Sequence, residues 1–375
     1  MCNFLLEKLK ASPNQRMSYA DYMNAALYDE QHGYYMNERI KIGRHGDFYT
    51  SSHVSSVFGT LFASLFIKLV ETGRIPPCIC ELGGGDGVFA RAVLQEWKNQ
   101  SPHTYQSLTY ILIEISPYQR TRQAEILGEF AERVIQYRHF DDFCKKHAPF
   151  SGIMFSNEFF DALPVHVIKK EKGQIYELFV ALRENELVEE PHMLQNEQII
   201  VYLQERNIVL KEGQRLEVPL AMKSFLLENA HVFAECVMIT VDYGYTDEEW
   251  ANPARHQGSL RGYYQHRLIR DPLAYPGQMD LTAHIQWDAL RMYGNIAGWE
   301  WVQTIRQDRF LLAAGILTQL KEHDGSDPFS EQSKRNRAIR SLMMDEGMSA
   351  FFQVMIQQKN LQMDWEKIWV EPSFL

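Results

Sequence analysis

Between residues 79 and 156, short apolar segments alternate with amphipathic ones. Apolar runs at 79–82, 109–115, 134–137 and 152–156 have the length of buried strands, and helical patterns follow at 88–97, at 117–130 and after Asp141. Strands that alternate with helices form parallel sheets, because each crossover returns the chain to the same end of the sheet. The sequence therefore predicts an α/β fold with a doubly wound, Rossmann-like sheet.

The flanking segments carry other patterns. Helices are expected at 18–29, with Ser18 as N-cap, and at 55–71. The remaining patterns predict a hairpin at 165–182, a buried strand at 236–243, a helix at 281–293, a strand at 299–304, helices up to about 358 and a last strand at 367–370. We expect an N-terminal helical lid segment (1–74), a first part of the sheet domain (75–164), an inserted α+β region (165–234) and the remaining sheet with substrate-side loops and C-terminal helices (235–375).

Composition limits the classes of partner. The formal net charge of −10 disfavours a broad nucleic-acid-binding face, and no apolar run approaches the length of a membrane span. The N-terminus resembles neither a signal peptide nor an Arg-rich mitochondrial leader. The cysteines are odd in number and form no CxxC pair, which favours reduced thiols: Cys2, Cys78, Cys80, Cys144 and Cys236. We therefore expect a cytoplasmic protein without a metal site, a nucleic-acid partner or a membrane partner.

A glycine-rich turn, ELGGGDG at 81–87, lies between the first predicted strand and its helix. Glycines allow a sharp turn and a close approach of a ligand to the backbone, and the helix N-terminus beyond it supplies N–H donors. A P-loop is excluded, because no Lys-Ser/Thr pair follows. A nicotinamide site stays open through Gly85-x-Gly87-x-x-Ala90. A turn without any ligand also stays open.

The third alternative is S-adenosylmethionine (SAM). Glu81, Gly83, Gly85 and Gly87 form an acid-x-Gly-x-Gly-x-Gly pattern, in which an acid favours the ammonium group and glycine N–H groups reach the carboxylate. Glu114 closes the second strand, where an acid accepts both ribose hydroxyls of SAM or NAD. Asp141 and Asp142 follow the third strand, where SAM enzymes often hold the adenine amino group.

The fourth strand runs into the sequence SNEFFDALP at 156–164. Ligands of doubly wound sheets bind at the carboxyl ends of the strands, so Glu158 and Asp161 are expected beside the cofactor. Two carboxylates suit a guanidinium group, which is planar and presents a fork of donors. The alternative is that Asp161 caps a turn and Glu158 is only solvated.

Several ordered stretches resemble the MidA-like SAM-dependent methyltransferases, a family that includes a mitochondrial complex I assembly factor that methylates a protein arginine. These stretches extend over most of residues 18–290: YADYMNAALYDEQHGYYM (19–36), GDFYTSSHVSSVFG (46–59), ELGGGDG (81–87), IEISP (113–117), SNEFFDALPVHV (156–167), DYGY (242–245), GSLRGYYQHR (258–267) and DLTAHIQW (280–287). The stretches NEFFDALP and LRGYYQH are more specific than the glycine turn.

The resemblance implies a SAM-dependent methyltransferase fold with an N-terminal helical segment and an inserted region. It implies that Gly83, Gly85, Gly87 and Glu114 lie at the cofactor, and that the segment 46–51, with Thr50 and Ser51, lies near the cofactor and substrate pocket. Asn157 is a further candidate for the cofactor, and Arg261 and His266 are further candidates for the substrate. His284 is another candidate, although such a histidine more often bonds to a buried carbonyl. The chain departs from the family at Ser51-Ser52-His53 and at Thr60, and the loss of two acids there weakens the transfer of arginine specificity. Within the glycine turn, Gly84 and Asp86 stand where Pro and Arg are frequent in the family.

The sequence thus predicts methyl transfer from SAM to a protein side chain, with arginine as the expected acceptor and Glu158 and Asp161 as catalytic residues. The protein substrate is not identified by the sequence, and a homodimer is left open. Two other classes also stay open: a SAM-binding assembly or chaperone factor without turnover, and a nicotinamide-dependent oxidoreductase.

Overall fold

The structure is a computed structural model that describes residues 3–38, 41, 56–73, 75–321, 327, 330–343, 351–371 and 373. Its helices, in chain order, are α1 Asn3–Ala11, α2 Tyr19–Tyr28, α3 Ser56–Gly73, α4 Val88–Gln100, α5 Pro102–Tyr105, α6 Pro117–Ile126, α7 Phe140–His147, α8 Glu197–Glu205, α9 Leu220–Glu228, α10 Asp247–Trp250, α11 Trp287–Ile296, α12 Gln307–Ala313, α13 Glu331–Met343 and α14 Trp365–Ile368. Its strands are β1 Arg16–Ser18, β2 Cys78–Leu82, β3 Thr109–Ile113, β4 Val134–Tyr137, β5 Phe150–Asn157, β6 His166–Glu171, β7 Gln174–Arg183, β8 Glu186–Met193, β9 Arg215–Val218, β10 Phe233–Tyr245, β11 Arg261–Tyr264, β12 Arg267–Ile269, β13 Asp280–Thr282, β14 Ile285–Gln286, β15 Glu300–Arg306 and β16 Phe352–Lys359.

The chain forms two compact units. The sheet unit comprises Tyr49–Phe159, Asn229–Tyr243 and Gly294–Leu375, and the hairpin unit comprises Met1–Phe48, Phe160–Glu228 and Gly244–Tyr293. These units cut across the division expected from the sequence. The expected N-terminal segment 1–74 is split between them, since its first helices belong to the hairpin unit and α3 belongs to the sheet unit.

The sheet unit is built on a mostly parallel sheet, with the strand order β15-β16-β10-β5-β2-β3-β4. Strands β10, β5, β2, β3 and β4 are mutually parallel. The βαβ alternation read from residues 79–156 is therefore confirmed, and so is the mixed α/β class. Because the register pairs Leu82 with Ser156 and with Ile113, the loops that follow β2, β3 and β5 leave the same edge of the sheet.

The expectations for the C-terminal part were wrong in two places. Residues 352–359, expected to be helical, form β16, which pairs antiparallel with β10 on one side and with β15 on the other. The expected last strand at 367–370 is instead the short helix α14. The sequence FQVMIQQK has apolar residues at both spacings, so the pairing of β16 between two strands decides its conformation.

Helix α3 forms the centre of the core of the sheet unit. The rings of Phe62 and Phe155 lie 5.0 Å apart, and Phe89 of α4 stacks on Phe155 at 4.6 Å. By length and composition, α3 would also be long enough to cross a membrane, but 67% of it is buried inside the protein. Its apolar stripe is therefore accounted for by packing against β5 and α4.

The hairpin unit contains two antiparallel sheets. The larger one has the order β1-β7-β6-β9, with β8 also paired to β7, and the smaller one has the order β12-β11-β13. The hairpin expected at 165–182 is confirmed as β6 and β7. Helices α1 and α2 pack their buried faces in one core with residues of these strands, such as Val167 and Val180. Ser18 caps α2 as expected, because its side chain accepts a hydrogen bond from the N–H of Asp21.

The expected helix at 281–293 begins later than the sequence indicated. Residues 280–282 and 285–286 form β13 and β14, and α11 starts only at Trp287. Strand β14 pairs in parallel with Gly244 and Tyr245 at the end of β10. The sequence patterns did not predict the strands β8 and β9, because residues 183–234 are charged and show no clear period.

Candidate active site

The glycine turn follows β2 and has the conformation that its sequence requires. Gly83, Gly85 and Gly87 have φ values of 65°, 52° and 86°, which lie in the left-handed region that favours glycine. Gly84 is required for a different reason: a Cβ atom there would come within 2.5 Å of a methyl group of Leu112 on β3. Three glycines therefore allow the turn, and the fourth allows its close packing on the sheet.

The glycine turn leads directly into α4, which begins at Val88. The carboxylate of Asp86 accepts a hydrogen bond from the N–H of Val88 over 3.1 Å, in the manner of a helix cap. Asp86 stands where arginine is frequent in the family, and this bond gives the aspartate a local role. The first turn of a helix carries N–H groups and positive potential, and both favour a bound carboxylate or phosphate.

Glu81 lies in β2, directly before the glycines of the turn, and its side chain is buried. It is 4% exposed, and one of its carboxylate oxygens accepts a hydrogen bond from the hydroxyl of Tyr110 over 2.6 Å. Burial raises the pKa of Glu81 to about 8; the bond from Tyr110 opposes this shift, and Glu114 and Asp86 add to it. Its hydrogen-bond partner is thus a tyrosine of β3, which the sequence did not indicate.

Glu114 lies directly after β3 and is 8% exposed. One carboxylate oxygen accepts the N–H of Gly85 over 3.0 Å, and the other accepts the N–H of Ser116 over 2.9 Å. Glu114 therefore contacts the glycine turn, and its expected contact with the ribose hydroxyls stays a prediction. It also has a structural task that the sequence did not reveal, because it ties two loops of the sheet edge together.

Two further polar residues reach this region and were missed by the sequence patterns. Gln123 of α6 is fully buried and donates to the carbonyl of Gly85 over 2.7 Å, and Gln136 of β4 donates to Gln123. The sequence held one signal for Gln123: it is a glutamine at a position of α6 that faces the interior, where an apolar residue would be usual.

The loop after β5 runs beside the glycine turn. A Cβ atom at Gly83 would lie 3.3 Å from the ring of Phe159, and the amide of Asn157 donates to the carboxylate of Glu158 over 3.1 Å. Glu158 has a φ of 53°, which is uncommon for a residue with a side chain, and its N–H bonds to the carbonyl of Val241 on β10. The oxygen of the Asn157 amide is buried and has no hydrogen-bond partner among the described residues.

Asp141 and Asp142 lie in the first turn of α7, after β4. Asp141 is exposed, and Asp142 forms an ion pair with Lys145 at 3.5 Å. Among the described contacts, neither reaches the glycine turn. Their expected contact with an adenine group stays a prediction.

Asp161 belongs to the hairpin unit, where it is 5% exposed. Its carboxylate accepts the hydroxyl of Thr282 over 2.7 Å, and its carbonyl accepts the N–H of Ala283. A second buried carboxylate in this unit, Asp280, accepts the hydroxyl of Tyr35 over 2.6 Å. Burial raises the pKa of Tyr35 well above its ordinary value, and both carboxylates add to the shift. The sequence did not single out Asp280, although it begins the stretch DLTAH.

The other predicted substrate-side residues are dispersed. Arg261 contacts the ring nitrogen of His284, and burial together with Arg261 and Arg255 holds the pKa of His284 well below its ordinary value. His266 lies at the exposed turn between β11 and β12, with a φ of 61°. Thr50 and Ser51, and the departures Ser52 and His53, lie outside the described residues. Thr60 is buried in α3.

The sheet edge has the chemistry that SAM requires. It offers three glycines in the left-handed region, the start of a helix, the acid Glu114 after β3, and a buried amide oxygen of Asn157 that lacks a described partner. The left-handed glycines let a ligand approach the backbone, and the start of the helix fits the carboxylate of the ligand. Glu114 fits the ribose, and the Asn157 oxygen fits a donor of the ligand. Within the described residues, no group of three or more His, Cys, Asp or Glu is placed to hold a metal ion.

The parallel sheet and the glycine turn define a Rossmann-like enzyme that binds its cofactor at the carboxyl edge of the strands. The chain belongs to the family described as "Putative S-adenosyl-L-methionine-dependent methyltransferase", whose sequence model matches residues 63–305. The predicted membership in the MidA-like family is confirmed, and the chain is a SAM-dependent methyltransferase. The oxidoreductase alternative is thereby set aside.

Curated relatives and a solved structure agree with this assignment. The protein arginine methyltransferase NDUFAF7 homolog of Drosophila melanogaster is 28% identical over 74% of this chain and 67% of its own length. The human protein arginine methyltransferase NDUFAF7 is 27% identical over 86% of this chain and 74% of its own length. A Burkholderia thailandensis protein, crystallised with S-adenosyl-homocysteine, matches with a TM-score of 0.84 and 26% identity over 96% of this chain and 94% of that one.

The expected cytoplasmic location is contradicted by these relatives. The proteins from Drosophila melanogaster, Mus musculus and Homo sapiens are all named as mitochondrial. The expectation rested on the composition of the N-terminus and on cysteine usage, and reduced thiols do not distinguish the cytosol from another reducing compartment. The four described cysteines, at positions 78, 80, 144 and 236, are free thiols in the structure, and the first two lie in β2 as expected.

Proposed function

We propose that this enzyme transfers the methyl group of SAM to an arginine side chain of a protein substrate. The curated relatives named protein arginine methyltransferases, at 25–28% identity, support this choice of acceptor. The residue that carries the proposal is Glu158, a carboxylate at the carboxyl end of β5 beside the glycine turn.

The backbone of Glu158 supports a functional role for this residue. A left-handed φ costs a residue with a side chain about 1 kcal/mol or more, and such strain is retained where the surrounding structure holds it in place. The bond from its N–H to the carbonyl of Val241 and the bond from Asn157 to its carboxylate fix Glu158 in this conformation. We infer that the carboxylate is held ready for a ligand.

A carboxylate suits the chemistry of this acceptor. When bound, SAM supplies a methyl group that its sulfonium has already activated. Glu158 would accept a hydrogen bond from the guanidinium, offset its charge and direct one nitrogen at the methyl carbon. The nitrogen would form its bond to the methyl carbon as the sulfur–carbon bond breaks with its electron pair left on sulfur, and Glu158 would accept the proton that the nitrogen loses. Asp161 follows three residues later in the chain, and we propose it as a second carboxylate for the substrate.

The cofactor residues are proposed on the same basis. The turn formed by Gly83, Gly85 and Gly87 would let SAM approach the backbone, while the N–H groups of these glycines stay bonded to the carbonyl of Ile113, the carboxylate of Glu114 and the carbonyl of Gly84. Glu114 would accept the ribose hydroxyls of SAM. Asn157 would accept a hydrogen bond from the ligand. Glu81 would act on the ammonium only through the turn, because its carboxylate is bonded to Tyr110.

The direct test is methyl transfer from isotopically labelled SAM to peptides, followed by mass spectrometry of the acceptor residue. Peptides with a single arginine should be methylated, and the same peptides with lysine in its place should not. A comparison of methyl-arginine peptides in cells with and without this protein would then identify the natural substrate. Tight SAM binding without transfer to any arginine would instead favour a binding or assembly factor.

A further inference from the structure

Both backbone polar groups of Gly85 are held by hydrogen bonds from within the protein. Its N–H donates to the carboxylate of Glu114 over 3.0 Å, and its carbonyl accepts the side-chain amide of Gln123 over 2.7 Å. Gly85 is the central glycine of the turn and has a φ of 52°. A glycine has wide conformational freedom, so these two bonds select one of its conformations.

The orientation of the Gln123 amide is itself fixed by a second glutamine. Gln136 of β4 donates one N–H to the amide oxygen of Gln123 over 2.8 Å and donates to the carbonyl of Arg120 over 3.0 Å. Because a donor faces the oxygen of Gln123, its NH₂ group must face Gly85. The pair therefore presents a donor, and only a donor, to the glycine turn.

These bonds close a ring around the start of α6. Arg120, one turn before Gln123 on the helix, donates to the carbonyls of Glu114 and Ile115, each over 2.8 Å. The helix thus holds the loop after β3 through Arg120 and the glycine turn through Gln123, and the carboxylate of Glu114 joins the two loops. A closed set of hydrogen bonds moves less than the same bonds made singly.

Packing leaves Gln123 little room to adjust. The residue is 0% exposed, and a Cβ atom at Gly87 would lie 3.1 Å from its Cγ and 3.4 Å from its Cα. A Cβ atom at Gly84 would lie 3.4 Å from its amide nitrogen. Two of the glycines therefore make space for this one side chain, which touches the turn along much of its length.

We propose that Gln123, oriented by Gln136, is a positioning residue that sets the Gly85 peptide for binding of SAM. The C=O and N–H groups of a trans peptide point in opposite directions, so the bond to the Gly85 carbonyl turns the N–H of Asp86 away from α6. That N–H is then directed outward from the turn, where it donates to the carboxylate of SAM. The inference rests on the proposed placement of SAM at the glycine turn and is independent of the acceptor.

The substitution Gln123→Glu tests this role without changing the size of the side chain. An ionised glutamate still accepts from Gln136 but cannot donate to Gly85, whereas a protonated one can do both. The carboxylates of Glu81, Asp86 and Glu114 lie on the neighbouring segments and raise the pKa of a carboxyl group introduced here. Affinity for SAM should therefore be weakened about tenfold at pH 8.5 and should return toward that of the unaltered chain near pH 5.

The measurement is calorimetric titration of SAM at both pH values. The affinity of each variant is divided by that of the unaltered chain at the same pH, so that effects of the other titrating groups cancel. Gln119→Glu is the matched control, since it places the same charge at another buried position one turn earlier on α6. It should lower stability without the pH-dependent recovery of affinity. Gln136→Leu removes the orienting bond, together with the bond to the carbonyl of Arg120, and should weaken SAM binding about threefold at both pH values.

The outcomes are separable. Recovery at low pH by Gln123→Glu and not by Gln119→Glu would support the role of Gln123, and if Gln123→Glu fails to fold, the loss of affinity in Gln136→Leu decides. Equal SAM affinity in the variants and the unaltered chain would overturn the positioning role while leaving the cofactor assignment intact. If the unaltered chain does not bind SAM, both the positioning role and the cofactor assignment would be overturned. None of these outcomes depends on whether arginine is the acceptor.

Discussion

The hydroxyl of Tyr110 donates a hydrogen bond to a carboxylate oxygen of Glu81 over 2.6 Å, between two adjacent parallel strands and out of contact with water. A buried carboxylate is costly to ionise, and burial raises the pKa of Glu81 to about 8. The first acid of the glycine-turn pattern is therefore protonated in much of the neutral pH range. Its contribution to stability must change with pH.

We predict that Glu81 lowers the stability of the protein as pH rises from about 4.5 to about 8. In this window the folded protein keeps the proton of Glu81 while the unfolded chain has lost it, so raising the pH favours unfolding. The effect is at most about 1.4 kcal/mol per pH unit. Glu81→Gln should remove this part of the slope, as measured by urea denaturation at several pH values.

Glu132→Gln, which changes an exposed glutamate, is the control for this measurement. It should leave the slope as it is in the unaltered chain. Tyr110→Phe should destabilise the protein by about 1–3 kcal/mol, because a buried carboxyl group loses its partner. A slope that is identical in Glu81→Gln and the unaltered chain would contradict a raised pKa.

The second prediction concerns the glycine turn. Gly85→Val should abolish SAM binding, because a β-branched side chain is strained at a φ of 52° and would displace the Gly85 peptide. Gly128→Val is a matched control, since nothing lies within 4 Å of the position of its Cβ. Calorimetric titration with SAM should show binding for the control and none for Gly85→Val. Equal affinity of both variants for SAM would show that the glycine turn is not part of the cofactor site.

The third prediction concerns Glu114, which bonds to the N–H groups of Gly85 and Ser116. Glu114→Ala should weaken SAM binding, because it removes charge-assisted hydrogen bonds of about 1.5–3 kcal/mol each. Glu125→Ala, which removes an exposed glutamate from α6, should bind SAM normally. Affinity that falls equally in the two variants would indicate a general effect of charge and not a role at the ribose.

The fourth prediction concerns the proposed catalytic carboxylates. Glu158→Gln and Asp161→Asn keep the shape of each side chain and remove its charge, so SAM binding should stay nearly unchanged. Methyl transfer should fall by roughly 10²-fold, the usual scale for loss of a positioned polar group. Single-turnover transfer to an arginine peptide measures this directly. Near-normal turnover in both variants would assign these residues to the scaffold.

The fifth prediction concerns the core of the sheet unit. Phe62 of α3 is fully buried against Phe155, Phe89 and Phe310. Phe62→Ala should lower the free energy of unfolding by about 3–5 kcal/mol. Phe351→Ala removes a ring that is 71% exposed and should have little effect. A chain shortened to start at Ile75 would lack α3 altogether and should not fold, as circular dichroism would show.

The sequence alone was sufficient for the features that depend on neighbouring residues. The alternation of apolar segments predicted the strands β2 to β5 and their helices, because burial on both faces of a parallel sheet leaves continuous apolar runs. The glycine turn could be read because alternate glycines are a local requirement of its backbone. Glu114 could be placed because strand ends in a parallel sheet lie at one edge.

Only the tertiary structure decided the features that depend on pairing between distant segments. Strand β16 was expected to be helical, since its apolar residues fit either period until β10 and β15 pair with it. Tyr110 donates a hydrogen bond to the carboxylate of Glu81, and Gln123 donates one to the carbonyl of Gly85. Each joins residues 29 or 38 positions apart, so it follows from strand register and helix packing, which no local pattern encodes.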